Sequence, residues 1–210
     1  MTPVPSRRPT SHEQRAGRAW DDSYRDGPPP WDAGRPQPAV VRLCDRDAFA
    51  GPMLDAGCGS GENALAIAAR GIEVVGVDVA PTAIRQARDK AADRGIDASF
   101  DVADALDLGR LERTFSSVLD CGLFHTFDDE ERRAYAESLA AVTRPGSVLH
   151  LLCVGDTAPG SRGPRRVSRS EIRAAFGAGW NVVAIEADRL EATFDADGLP
   201  AWVARIERAG

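Results

Sequence analysis

The residues best placed to do chemistry follow an apolar run, in the stretch Met53-Leu-Asp-Ala-Gly-Cys-Gly-Ser-Gly-Glu-Asn-Ala-Leu65. Gly57, Gly59 and Gly61 can take backbone angles closed to other residues. Lacking Cβ atoms, they also let a ligand lie directly against the main chain, with Cys58 between the first two. A strand that passes through such a turn into an amphipathic helix is a cradle for a nucleotide-like ligand. A dinucleotide fingerprint would need its third glycine at position 62, where Glu62 stands. That carboxylate, with Asp55 upstream, favours the helix dipole but repels a phosphate, so the cradle suits a neutral or cationic ligand. The next apolar run, Ile72-Glu-Val-Val-Gly-Val-Asp78, ends in an acid about 20 residues beyond the first glycine, the distance at which Rossmann-type units place a ribose-binding carboxylate. Asp78 is therefore the expected ribose acceptor, with Val79 beside it.

The run Leu54-Asp-Ala-Gly-Cys-Gly-Ser-Gly61 resembles the first motif of class I S-adenosylmethionine (SAM)-dependent methyltransferases. Their methyl donor carries a sulfonium and an ammonium but no phosphate, in keeping with the charge of the turn. The resemblance implies SAM as cofactor, held around Asp55, Gly57, Cys58, Gly59, Gly61, Asp78 and Val79. It also implies a Rossmann-like α/β fold, with a seven-stranded, mostly parallel sheet and an antiparallel closing strand. Asp104, ending Ala98-Ser-Phe-Asp-Val-Ala-Asp104, would accept from the adenine amino group, and Ala103 would support the ring; an ordinary loop carboxylate or a helix cap is the other reading of Asp104. Asp120 to Phe127 matches the family segment lining the methyl-transfer site. Leu123 and Phe124 would then face the methionine part or the substrate, and His125 becomes the candidate general base, with a packing role as its alternative.

Upstream, Trp20, Tyr24 and Trp31 lie on a polar, proline-broken segment that cannot be a core strand. Trp20 and Tyr24 share a face if helical, and Trp31 follows a turn that could bring it back over the same ligand. This spacing, followed by Pro30-Trp-Asp-Ala-Gly34, resembles the lid of the thiopurine and halide/thiol methyltransferase group, in which the matching aromatics close over SAM. Tyr24 stands where that group often has Trp. Anchoring of the segment to the domain is the plainer alternative. Residues 159–208 also resemble the tail of mycobacterial heterocyclic toxin methyltransferases. Arg162 and Arg165, in the polar loop of residues 155–167, are candidate substrate contacts, although such a cluster also fits a solvated loop.

The elements that must position these groups follow the same chain order. Pro38-Ala-Val-Val-Arg-Leu-Cys-Asp45 reads as a short amphipathic helix, residues 64–69 as a helix ended by Gly71, and Pro81 opens a helix closed by Gly95. Phe115-Ser-Ser-Val-Leu-Asp-Cys121 and Ser147-Val-Leu-His-Leu-Leu-Cys-Val154 read as buried strands, with an acid-started helix between them that stops at Pro145-Gly146. His150 alternates into the core. Ser168-Arg-Ser-Glu171 is a capping box, and two closing strands follow. Residues 1–12, rich in Pro, Ser and Arg and including His12, are expected to be a disordered tail. Residues 13–210 are expected to form one domain, with a lid at 13–37.

A chain of 210 residues with 43% hydrophobic and 28% charged residues can bury a sizeable single core. A net charge of −6 disfavours nucleic acid and anionic membranes as partners, leaving a small-molecule substrate. Cys44, Cys58, Cys121 and Cys153 lack metal-binding or disulfide spacing, so no metal is expected. The opening residues hold no apolar signal-like run, and the expected location is cytoplasmic. Displacement at a sulfonium needs alignment and exclusion of water rather than a covalent intermediate. Cys121-Gly-Leu-Phe124 stands where amide-methylating enzymes carry an Asn/Asp-Pro-Pro-aromatic motif, which disfavours nucleic-acid and protein amides. The leading expectation is methylation of an aromatic or heterocyclic O, N or S nucleophile, in a detoxifying role. The alternatives are a thiol or halide methyltransferase and a SAM-binding protein without turnover. An NAD oxidoreductase is disfavoured by Glu62.

Overall fold

A computed structural model describes residues 7–160 and 163–210. Three short helices come first, α1 (Ser11–Ala16), α2 (Asp22–Arg25) and α3 (Pro38–Asp45). Strands and helices then alternate through β1 (Met53–Ala56), α4 (Glu62–Ala68), β2 (Val74–Asp78), α5 (Pro81–Arg94) and β3 (Ser99–Val102). A 3₁₀ segment (Ala105–Leu111) leads to β4 (Phe115–Cys121). A second 3₁₀ turn (Phe124–Thr126) leads to α6 (Asp129–Ala141) and β5 (Thr143–Val154). The chain closes with α7 (Arg169–Ala175), β6 (Trp180–Ala192) and β7 (Asp195–Arg208).

The seven strands form one sheet in the order β3-β2-β1-β4-β5-β7-β6. The first five of these pair in parallel, whereas β7 runs antiparallel to both β5 and β6. This is the expected mostly parallel sheet with one reversed closing strand. Parallel strands need helical crossovers, which cover both faces, so their side chains are apolar on both sides. One face packs Leu54, Val75, Val118 and Leu149 with Tyr135 and Ile172 from the helices beyond, and the other packs Met53 and Leu119 with Leu65, Ile67 and Ile84. Strand order reverses between β1 and β4, and the crevice at their carboxyl ends is where such a sheet collects ligands.

Local chemistry explains most boundaries. Pro81 opens α5 and Gly95 closes it in the left-handed region at φ 61°. The Asp128/Glu131 and Ser168/Glu171 capping boxes start α6 and α7. Expectation and structure differ at two places. Helix α6 ends at Ala141 and β5 already begins at Thr143, ahead of Pro145-Gly146, because Phe115 on β4 pairs with Thr143 across a bulge before the regular register resumes at Ser117 and Val148. The expected tail of residues 1–12 is also corrected over its described part. Thr10 and Glu13 form a capping box that starts α1, and Ser11 donates through N–H and hydroxyl to Glu131 at 2.6 and 2.7 Å. Residues 1–6 of that tail lie outside the described residues. His150 is buried, as expected, with its Nε2 on the Ala48 carbonyl at 3.1 Å. Among the described residues no helix is long and apolar enough to cross a membrane.

Gly76 in β2 shows how tightly the sheet is packed beneath the crevice. A Cβ there would stand 2.6 Å from the Phe100 ring and 3.0 Å from Cys58 Sγ. Gly76→Ala is expected to cost about 1–3 kcal/mol of stability through overpacking. Urea unfolding with an unchanged midpoint would contradict this packing.

Candidate active site

The turns after β1, β2, β3 and β4 converge on a cavity of about 380 Å³. Its base is the glycine turn, with φ of 73°, 54° and 86° at Gly57, Gly59 and Gly61. These are left-handed angles that residues with side chains rarely adopt. Space is short as well, since a Cβ on Gly61 would meet Ala87 Cβ at 2.8 Å and one on Gly59 would meet Tyr24 Oη at 2.9 Å. Asp78 braces the turn. Its carboxylate accepts the Gly59 N–H at 3.0 Å and the Ala80 N–H at 2.9 Å, joining the end of β1 to the end of β2.

The N-terminal segment covers this turn with aromatic rings. Trp31 Nε1 donates to Tyr24 Oη at 3.0 Å, Trp20 meets Trp31 edge-on with centroids 5.6 Å apart, and His12 stacks on Trp20 at 4.7 Å. Several polar contacts hold the cover down. Asp21 accepts the Thr82 N–H at 2.6 Å, the Ser60 hydroxyl donates to Asp32, and Thr193 N–H donates to the Pro30 carbonyl at 2.9 Å. Gln37 exchanges two hydrogen bonds with the Glu191 main chain, at 3.0 and 2.8 Å. The segment is thus fixed both to the nucleotide-type turn and to the β6–β7 hairpin.

Three carboxylates lie beneath and beside the cavity. Burial pushes Asp55 up to about 8, with Asp120 and Asp78 adding repulsion. Burial also raises Asp120 to about 7, against the opposing N–H donors of Leu123 and Phe124. Asp78 is raised by burial too, although the Ala80 and Gly59 N–H groups favour its charged form. Tyr24 is pushed well up by burial and by Asp78, so it stays a phenol.

Most of the expected cofactor residues meet at one place. Trp20, Tyr24, Trp31, Gly57, Cys58 and Gly59 line the cavity together with Gly61, Asp78, Val79, Ala103, Asp104 and Leu123. Asp104 also caps the following 3₁₀ segment, its Oδ1 accepting the Leu106 N–H at 2.9 Å. The cap is thus formed by a residue that also lines the cavity. Asp55 does not line the cavity; like the rest of β1 it is buried.

The substrate candidates fare differently. Phe124 is fully buried, with the Arg132 guanidinium 4.6 Å over its ring and Phe176 beside it, so it is core and not a substrate contact. Arg165 pairs with Asp129 and Glu171 at 2.9 and 3.1 Å, which turns it away from the cavity. Arg162 lies outside the described residues. Glu62 lines the cavity, but its charge is answered by Arg94 and by Lys90 at 2.8 Å each, so it supplies little of the phosphate repulsion expected of it.

His125 lines the cavity with its acceptor nitrogen already in use. Nδ1 takes the Val154 N–H at 3.1 Å, which places the proton of the neutral ring on Nε2. Burial, with His12, Arg132 and Arg166 nearby, lowers its pKa to about 3. The neutral ring then offers a donor and no free lone pair, which argues against a general base. Cavity residues that sequence reasoning missed include His12, Asp32, Phe194 and Leu199. For His12 a signal existed in the Thr10-x-x-Glu13 capping box. For Phe194 and Leu199, on the hairpin tip, no local signal did.

The chain is similar to known methyltransferases. Residues 53–146 match a family model described as a methyltransferase domain. The 2-heptyl-1-hydroxyquinolin-4(1H)-one methyltransferase of Mycobacteroides abscessus is 38% identical over 80% of this chain and 75% of its own length. Thiocyanate methyltransferase 1 of Brassica oleracea is 30% identical over 62% of this chain and 58% of its own length. Among solved structures, one described with the conversion of a disulfide bond into a thioacetal group during echinomycin biosynthesis superposes with a TM-score of 0.79. It is 39% identical to this chain and covers 86% of each. The magnesium protoporphyrin IX methyltransferase of Synechocystis PCC 6803, with bound S-adenosylhomocysteine, shares the fold at a TM-score of 0.65 and 21% identity.

The raised carboxyl of Asp55 makes stability depend on pH. Its folded value, about 8, lies above the ordinary carboxylate value of about 4. The folded state therefore binds more protons between those limits, and stability falls as pH rises through them. The Tm of the ligand-free protein is expected to decline between about pH 6.5 and pH 8, above the range in which the buried neutral His125 opposes the trend, with a shallower slope in Asp55→Asn and the remainder belonging to Asp120 and Asp78. An identical slope in the variant would contradict the burial account.

Proposed function

This chain belongs to the SAM-dependent methyltransferases, and we propose that its acceptor is an apolar aromatic or heterocyclic molecule carrying an O, N or S nucleophile, methylated in the cytoplasm as a detoxifying step. The carrying observation is the continuity of the cavity. Its polar part, around Asp78 and Asp104, runs into an apolar part bounded by Trp20, Leu123, Phe127, Phe194 and Leu199. An outer groove shares Pro164, Phe194 and Leu199 with the cavity and continues along Pro159 and Arg166, and its mostly apolar lining suits an aliphatic tail on the acceptor.

SAM, when bound, supplies an electrophilic methyl group on a sulfonium. The chain's own residues fit it without rearrangement of the glycine turn. Asp78 retains lone pairs beyond those taken by Gly59 and Ala80 N–H, and these accept the ribose hydroxyls. Asp104 has Oδ1 on the Leu106 N–H and keeps Oδ2 for the adenine amino group, with Ala103 and Val79 flanking the ring. The glycine turn admits the methionine part against its main chain, and Leu123 packs close to Gly57. Tyr24 is buried against the turn, Trp31 stands at the rim with 43% of its surface exposed, and the ring faces of Trp20, Tyr24 and Trp31 attract a cation by roughly 0.5–2 kcal/mol. Displacement in a dry site gains from alignment and from desolvation of the nucleophile.

The thiol and halide reading is the weaker one for this chain. A small anion calls for positive charge at the acceptor end. Among the described residues Arg35 is the Arg or Lys that lines the cavity, and it is tied to Glu191 at 2.9 Å. The name of the Mycobacteroides relative adds support for a hydroxylated heterocycle bearing an alkyl chain.

Two outcomes are expected. Asp78→Ala should weaken SAM binding by roughly 10- to 100-fold in calorimetry, the cost of about 1–3 kcal/mol for unpaired polar groups; unchanged affinity would remove Asp78 from the ribose. With SAM in excess, kcat/KM for 1-hydroxyquinolin-4-ones should rise as the 2-alkyl chain lengthens from methyl to heptyl, and Phe194→Ser should flatten that rise. Turnover of iodide or thiocyanate alone would overturn the proposed acceptor class.

A further inference from the structure

A displacement at SAM with a hydroxyl acceptor must lose a proton as the O–CH₃ bond forms and the S–CH₃ bond breaks. His125, the histidine singled out by its place after β4, has its acceptor nitrogen committed to Val154. The cavity holds a second imidazole. His12 lines the same space from α1, half-buried, with its ring stacked on Trp20 at 4.7 Å and 12°. Among the described residues neither of its ring nitrogens makes a hydrogen bond, so a lone pair is available. Its position is built rather than incidental. Glu131 at the start of α6 grips Ser11 through both N–H and hydroxyl, the Thr10/Glu13 capping box starts the helix, and Arg7 pairs with Glu13.

We infer that His12 is the proton acceptor for hydroxylated acceptors, an assignment that rests on the methyltransferase reading above. The acceptor oxygen gives its proton to the free ring nitrogen of His12 and takes the methyl group. The sulfonium becomes a neutral thioether, and the imidazolium then releases the proton to solvent at the cavity mouth. Acceptors that are already anionic do not need the step. The charged and titratable groups around the ring are Arg15 and Glu13 on its own helix, Glu131 from α6 and His125 from the turn after β4. Burial and Arg15 lower its pKa against the two glutamates, which keeps the ring neutral and able to accept at neutral pH.

The test compares 6-hydroxyquinoline, un-ionised at neutral pH, with 4-nitrothiophenol, which is anionic there. Both are assayed with SAM on the full chain as wild type and as His12→Phe, a variant that keeps the ring stack without the base. The variant should lose roughly 10²–10⁴-fold in kcat/KM on the hydroxyquinoline, keep the thiol within about threefold, and lose the acid limb of the pH profile below about 6.5. An equal loss on both acceptors would overturn the assignment in favour of a purely structural ring. Retained hydroxyquinoline turnover with an unchanged acid limb would overturn it as well. Should the wild type convert neither acceptor nor any other heterocycle, the proposed acceptor class fails and carries this assignment down with it.

Discussion

One carboxylate holds the site together. Asp78 accepts from Gly59 and Ala80, so a single side chain ties the turn after β1 to the turn after β2 and fixes the main chain that a donor must approach. The glycines permit that geometry, because their backbone angles and the nearness of Tyr24, Ala87 and Leu123 leave no room for a Cβ. Burial raises the pKa of Asp78, while the Ala80 and Gly59 N–H groups favour its charged form. The parallel sheet beneath, packed on both faces, carries these turns.

The second feature is how the cavity is closed. The aromatic segment before α3 is anchored at both ends, to Thr82 and Ser60 on one side and to the β6–β7 hairpin on the other. Closure thus joins the first 40 or so residues to the last strands of the chain. It brings His12 and Trp20 from one end of the sequence against the cavity that Phe194 and Leu199 border from the other. A donor lodged on the glycine turn and an acceptor under the hairpin would share one water-poor space, as direct transfer between them requires.

Much of this was legible in residue order. The run from Met53 to Asp78 announces strand, turn, helix, strand and acid through local rules, and Pro81 and Gly95 mark the next helix. Composition misled at the N-terminus, where Pro and Arg outweighed the Thr10/Glu13 capping box that builds α1. Phe124 looked like a substrate contact because it neighbours Leu123 and His125, yet the 3₁₀ turn rotates it into the core under Arg132. Arg165 was equally open to misreading, since ion pairs to Asp129 and Glu171 depend on tertiary neighbours. The hairpin tip carries no local motif, so its place at the cavity mouth emerges only from the pairing of β6 with β7.

The central claim is that donor and acceptor occupy one continuous cavity beneath the N-terminal aromatics. A crystal structure of the chain with S-adenosylhomocysteine and a 2-alkyl-1-hydroxyquinolin-4-one tests it most directly. The account requires the ribose on Asp78, the thioether under Tyr24 and Trp31, the heterocycle between Trp20 and Leu123, and the alkyl chain leaving past Phe194. A nucleoside bound away from the glycine turn, or an acceptor seated outside the aromatic cover, would contradict it.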